Sequence, residues 1–232
     1  GRTPLFILFQ QPLLTNKHVE LCKTLCPSGF YEFCTFRYSP INALVRNSSM
    51  TFNMIQIYVD LICKKYGFDN NNDNILFTVD RTKRRRTPLH ELVLSKYCTK
   101  DILLYYIDNS YKNKMNGWNH FMYQRDGHGH TAFELAMQNE NFMTDKVLKS
   151  FLNHYHNNNN NKKKKNNNAK MKQMKNNNEK RQIYLSRTAL NNLCKNSKCT
   201  PQMLRTAFSF NNPKGKHYKS VKVLASIPDE SC

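Results

Sequence analysis

Several residue groups in this chain have the types that carry out chemistry. His18, Cys22, Cys26 and Cys34 offer one imidazole and three thiols at gaps of four, four and eight residues, a donor set suited to zinc. The set lacks the paired C-x-x-C knuckles of a structural zinc site, and Cys22 falls in an apolar slot of the helical pattern described below. Cys98 or Cys199 beside a histidine would make a thiol nucleophile. Both occupy a slot that elsewhere holds Leu14 and Met50, where a reduced cysteine packs as a small hydrophobe. The H-x-H pairs His128/His130 and His154/His156 lie in connecting or post-helix segments, beside Asp126-Gly127 and Asn runs. Weak metal binding is one reading of these pairs and solvated loop histidines the default one.

The most distinctive cluster is basic. Arg81-Thr82-Lys83-Arg84-Arg85-Arg86 holds five cations in six residues. Arginine suits bidentate contacts to carboxylate or phosphate, so the cluster reads as an anion-binding tip or a nuclear import signal, with a solvated basic turn as the alternative. No phosphate-binding glycine loop, G-x-S-x-G, H-E-x-x-H or kinase signature occurs, and carboxylates number only 16. No catalytic residue, cofactor or metal is therefore expected. The net charge is +20, of which the 157–182 tract supplies +8 with nine Lys/Arg and one Glu. Runs of Asn and Lys together reflect A/T-rich codons as readily as they reflect an anionic partner. No apolar stretch is long enough to span a bilayer. Eight Cys without any other mark of secretion point to a reducing compartment, cytoplasm or nucleus.

The elements that position these residues recur along the chain. Openings of Ser/Thr followed by Pro or Ala and then an apolar residue stand at Thr3-Pro4-Leu5, Ser39-Pro40-Ile41, Thr87-Pro88-Leu89, Thr131-Ala132-Phe133 and Thr188-Ala189-Leu190. Five residues after each start come Leu8, Leu44, Leu92, Ala136 and Leu193, and one further on Phe9, Val45, Val93, Met137 and Cys194. That spacing is one apolar helical stripe entered through a hydroxyl N-cap. A second cap follows about twelve residues later, at Thr15, Thr51, Thr99, Thr144 and Thr200. Four residues beyond it are Val19, Ile55, Leu103, Leu148 and Leu204. The unit is a helix, a short turn and a second helix, five times over.

The opening Thr87-Pro88-Leu89-His90, with its four weaker copies, resembles the start of an ankyrin repeat, and the resemblance covers residues 1–210. It implies an all-α, ankyrin-type helical-hairpin repeat solenoid of about five repeats, starting near residues 3, 39, 87, 131 and 188. The starts are 36, 48, 44 and 57 residues apart, against about 33 for the family. The excess falls in polar connections: 69–74, 109–119 around Trp118, and the low-complexity insertion 157–182, which is expected to be disordered. Residues 211–232 match no repeat and read as a tail or linker. The family His survives only as His90, with Phe6, Asn42, Glu134 and Asn191 in its place elsewhere. The start at residue 3 has no preceding hairpin to cover it, which implies further repeats or another domain upstream.

The resemblance implies a non-catalytic protein-binding module or scaffold. By motif position its partner-facing residues are Glu91, Leu94 and Ser95, Gln138 and Asn139, and Asn192 and Lys195 on the first helices. Arg84, Arg85, Arg125 and Asp126 occupy the fingertips. The expected partner is a protein with an acidic surface. Two alternatives stay open: a basic module for nucleic acid or another polyanion, and the targeting segment of a larger enzyme.

Overall fold

The computed structural model describes residues 1–66, 75–112, 123–153 and 186–211. Regular structure among them is helical, apart from a single antiparallel bridge between Arg125 and Thr131. No helix of the described residues is long and apolar enough to cross a membrane. The polar connection 69–74, Trp118, His154, His156, most of the 157–182 tract's flanks and the tail beyond Asn211 lie outside the described residues, as does the tract itself.

Each first helix is short and begins at a hydroxyl. Helix α1 (Pro4–Leu8) is capped by Thr3, α3 (Pro40–Leu44) by Ser39, α5 (Pro88–Leu94) by Thr87 and α7 (Ala132–Ala136) by Thr131. Each second helix begins at a threonine whose Oγ1 accepts a backbone N–H three residues on. These are Thr15 for α2 (Asn16–Leu25), Thr51 for α4 (Phe52–Tyr66), Thr99 for α6 (Lys100–Lys112), Thr144 for α8 (residues 145–153) and Thr200 for α10 (Pro201–Asn211). A hydroxyl satisfies one of the donors that a helix start leaves without a partner, which contributes about 1 kcal/mol per cap.

Three first helices close the cap reciprocally, using three different side chains at its third position. Asn42 Oδ1 accepts the Ser39 N–H at 3.0 Å, His90 Nδ1 accepts that of Thr87 at 3.2 Å, and Glu134 Oε2 accepts that of Thr131 at 2.8 Å. Phe6 cannot, so Thr3 is left with only the Phe6 N–H, at 3.3 Å. Asn42, His90 and Glu134 thus share one ability, accepting a hydrogen bond three positions after the cap, which Phe6 lacks.

The chain divides into two compact units, Gly1–Phe142 and Met143–Cys232. In the first, α1 packs on α3, α3 on α5 and α5 on α7, while α2 packs on α4 and α4 on α6. The first helices therefore form one layer and the second helices another. Between them lie Leu44, Leu92 and Ala136, all fully buried, with Leu8 of the first pair only half-buried. Phe9, Phe30 and Tyr58 meet in one aromatic cluster at centroid separations of 5.2 to 6.2 Å. Burying each such side chain stabilises the fold by about 2 kcal/mol. The second unit pairs α9 (Arg187–Lys195) with α10. Its cap is Ser186, whose Oγ accepts the Ala189 N–H at 3.0 Å, so α9 starts two residues earlier than the opening at Thr188 predicts. The buried face turns with it: Ala189, Asn192 and Leu193 are buried, Leu190 is half-buried, and Cys194, expected on the apolar stripe, is exposed.

Candidate functional site

Three loops precede α3, α5 and α7, and they share one construction. In each, a backbone N–H bonds the carbonyl of the residue just before the helix cap: Cys34 to Tyr38 at 2.8 Å, Asp80 to Arg86 at 2.9 Å and Asp126 to His130 at 2.8 Å. The residue two before each cap is left-handed: Arg37 at φ 57°, Arg85 at φ 48° and Gly129 at φ 84°. Successive loops are joined to one another. The Thr35 N–H donates to Gly1 O at 3.0 Å, Arg81 N–H to Phe36 O at 2.7 Å and Gly127 N–H to Arg84 O at 2.5 Å. A backbone ladder thus runs from tip to tip, and it fixes the order in which side chains are presented.

The acids of these loops point inward. Asp80 uses Oδ1 to accept the Thr82 N–H at 2.8 Å and Oδ2 to accept the Arg86 N–H at 2.9 Å. Asp126 Oδ1 accepts the N–H groups of His128 at 2.9 Å and His130 at 3.0 Å. Burial alone raises the Asp126 carboxyl, but those two N–H groups, with the Arg86 charge 3.5 Å away, outweigh it and leave the carboxyl below its ordinary range. Glu91 lies between two arginines. Arg46 holds it through Nε at 2.8 Å and Nη2 at 2.6 Å, and Arg86 Nη1 lies 3.7 Å away. The chain of charges Arg46, Glu91, Arg86 and Asp126 links α3, α5 and the loop before α7.

This arrangement changes the reading of the predicted contact residues. Glu91 is 4% exposed and Asp126 5%, so neither faces a partner; both are counter-charges within the fold. Glu91 lies on the α5 face that packs on α3, a placement that motif position alone did not reveal. Ser95 and Asn192 are also buried, in turn and helix positions at the pair interior. Arg84, Arg85, Leu94, Arg125 and Gln138 are exposed in the first unit, and Lys195 in the second. Arg125 is partly committed, with Glu134 Oε2 3.5 Å from its Nη1 and a further bond to the Gly129 carbonyl. Asn139 is half-buried, and its Nδ2 donates to the Val93 carbonyl at 2.8 Å. Asn47 does the same for Phe9, at 2.7 Å. These two asparagines stand eight residues after their caps and tie each pair to the one before, a role visible in their shared spacing but missed there.

Arg81, Lys83, Arg84 and Arg85 remain. All four side chains are exposed, and none lies within ion-pair distance of a carboxylate among the described residues. Arg86, the fifth cation of the cluster, is turned inward to Glu91 and Asp126. Beside them stands Phe36, 61% exposed.

The groups proposed for other chemistry are placed differently. The His18 ring accepts the Thr15 N–H on Nδ1 at 3.1 Å, as part of a helix cap. Among the described residues no three His, Cys, Asp or Glu side chains converge as metal ligands. Burial raises the Cys98 thiol well above its ordinary value, and burial raises Cys199 as well, the opposite of what activates a thiol. His128 is exposed and His130 half-buried on the loop before α7. The chain matches no family model, no curated protein and no solved structure.

Proposed function

We propose that this chain is an ankyrin-type repeat module that binds a protein partner and performs no catalysis. The observation that carries this reading is the ladder of tip loops. It joins three successive loops backbone to backbone while Asp80 and Asp126 turn inward. A scaffold of that kind holds side chains such as Arg84, Arg85, Leu94 and Gln138 outward on rigid elements, the arrangement that interaction surfaces use. The five openings and the alternate layering of first and second helices in Gly1–Phe142 support the repeat assignment. Lys195 belongs to the second unit and is a separate candidate contact.

A second reading, binding of nucleic acid or another polyanion, is favoured by the four cations without carboxylate partners. Salt separates the two. Each phosphate contact releases counterions, so affinity for a nucleic acid falls steeply with ionic strength, whereas a partly apolar protein interface depends on it much less.

The test is affinity capture with the full 232-residue chain beside an Arg84→Glu/Arg85→Glu variant. Arg86 is left intact because it is a counter-charge for Glu91 and Asp126. A protein retained by the parent in moderate salt and lost by the variant supports the reading. Identical captures remove the tip from the contact surface, and capture of nucleic acid alone supports the second reading.

A further inference from the structure

We infer that the tip formed by Arg81, Lys83, Arg84 and Arg85, with Phe36 beside it, recognises an extended acidic peptide, and that Arg85 is its specificity residue. The inference rests on the protein-binding reading and names the chemistry of the partner at one site.

Arg85 sits at φ 48°, in the left-handed region that costs an L side chain and suits glycine. The equivalent position before α7 is Gly129, at φ 84°; before α3 it is Arg37, at φ 57°, whose guanidinium lies over the Phe33 ring. Nothing inside the fold explains the arginine: its side chain is exposed and has no carboxylate partner among the described residues. A residue type held against the local backbone preference, with no internal use, points outward to a ligand.

Charge is concentrated here and not spread. Residues 1–142 contain seventeen Lys/Arg against twelve Asp/Glu, yet five of those cations fall within six positions. The nearby carboxylates of Asp80, Glu91, Asp126 and Glu134 are all spent on the fold. The tip is thus a local positive site with no acid to neutralise it.

The tip is also held in place before any ligand arrives. Asp80 fixes both ends of the loop, at Thr82 and Arg86, and the ladder bonds Arg81 to Phe36 and Arg84 to Gly127. Ordering costs on binding are correspondingly small. Arginine forks match carboxylates in bidentate pairs, and exposed Phe36 supplies an apolar contact bonded directly to the basic loop. Successive side chains of an extended peptide alternate in direction, so acidic and apolar residues in alternation fit cations and ring together.

A nucleic-acid strand fits less well. Its phosphates need a track of free cations, and the loop on either side of this tip offers one arginine that is already engaged: Arg37 lies over the Phe33 ring, and Arg125 is paired with Glu134 and bonded to the Gly129 carbonyl.

The experiment is fluorescence anisotropy with the full chain, near physiological salt, using a short labelled peptide of alternating Glu and Leu. Arg85→Gly should weaken binding about tenfold, the loss of one charge-assisted contact, while raising the melting temperature. Phe36→Ser should also weaken it. The Lys-rich 157–182 tract is the same in every variant, so binding there would survive these changes. Equal affinity of Arg85→Gly and parent for the peptide overturns the inference. So does tighter binding of a single-stranded oligonucleotide of matched charge, with a log–log salt slope of about −3 for four phosphates. If the tip proves indifferent while a protein partner is still captured, only this inference fails. If the peptide binds at the tip but no protein is captured, the broader reading fails instead.

Discussion

The backbone N–H of Thr87 donates to Nδ1 of His90 across 3.2 Å. An amide can only donate, so Nδ1 is the unprotonated nitrogen and the proton lies on Nε2. That nitrogen is 3.2 Å from the His130 carbonyl, which closes the loop before the next helix. One neutral imidazole therefore caps α5 and ties two successive loops. A second proton would cost the cap, because Nδ1 could no longer accept, and would bury a charge, while Nε2 would still donate to the His130 carbonyl.

A pH dependence follows from that geometry. Burial lowers the His90 pKa below its ordinary value, although the His130 carbonyl and nearby acids oppose the shift. Between its depressed folded pKa and the ordinary value of about 6.5, the unfolded chain binds more protons than the folded one. The stability owed to neutral His90 is present in full above that ordinary value and is lost as pH falls toward the folded pKa. Asn42 does the same capping work without titrating, so His90→Asn is the comparison. Urea unfolding at about pH 7.5 and about pH 5 should show the parent losing more stability than the variant. Equal losses would contradict the assignment.

The buried charge chain gives a second expectation. Glu91 answers both Arg46 and Arg86, and the Arg86 guanidinium is largely buried. Glu91→Ala leaves Arg46 without a carboxylate and Arg86 with Asp126 alone, and should cost about 2 kcal/mol, read by denaturant unfolding. Arg84→Ala, on the exposed tip, should cost less than about 0.5 kcal/mol. A Glu91→Ala cost as small as that of Arg84→Ala would mean the network is not formed in solution.

Two glycines on one loop should respond differently for different reasons. Gly129→Ala keeps open space around the new methyl but places it at φ 84°, a cost of about 1 kcal/mol. A Cβ on Gly127 would lie 2.0 Å from the Lys83 carbonyl oxygen, a backbone atom that cannot turn aside. Gly127→Ala should therefore break the ladder and cost more than Gly129→Ala. The reverse order in thermal melts would show that adjacent loops do not approach this closely.

What could be read in the sequence was whatever repeats with a fixed spacing. Hydroxyl caps and the second threonine caps recur in every copy, and the positions five and six after the first caps are buried in the second, third and fourth, each with a local physical cause. The fate of Glu91 could not be read this way, because it depends on Arg46, 45 residues earlier in the chain. The likeness of the loops was hidden as well, since the loop before α5 carries Asp80 seven residues before its cap while that before α7 carries Asp126 five before. At the fifth opening, Ser186 takes the cap from Thr188, a choice between two neighbouring hydroxyls that only the local backbone decides. Arg84, Arg85 and Leu94 are exposed as motif position implies, whereas Asp126 is drawn inward by the His128 and His130 N–H groups and Arg86, and Asn192 is buried.

The central claim is that neighbouring loops are bonded to one another and so hold the basic tip in place. Amide hydrogen exchange, resolved by residue, tests it most directly. Arg81 and Gly127 donate to the preceding loop although both lie at an exposed edge, while the Lys83 N–H beside them has no partner among the described residues. Slow exchange at Arg81 and Gly127 with fast exchange at Lys83 is the predicted pattern; uniformly fast exchange across all three would show that the tips are not joined.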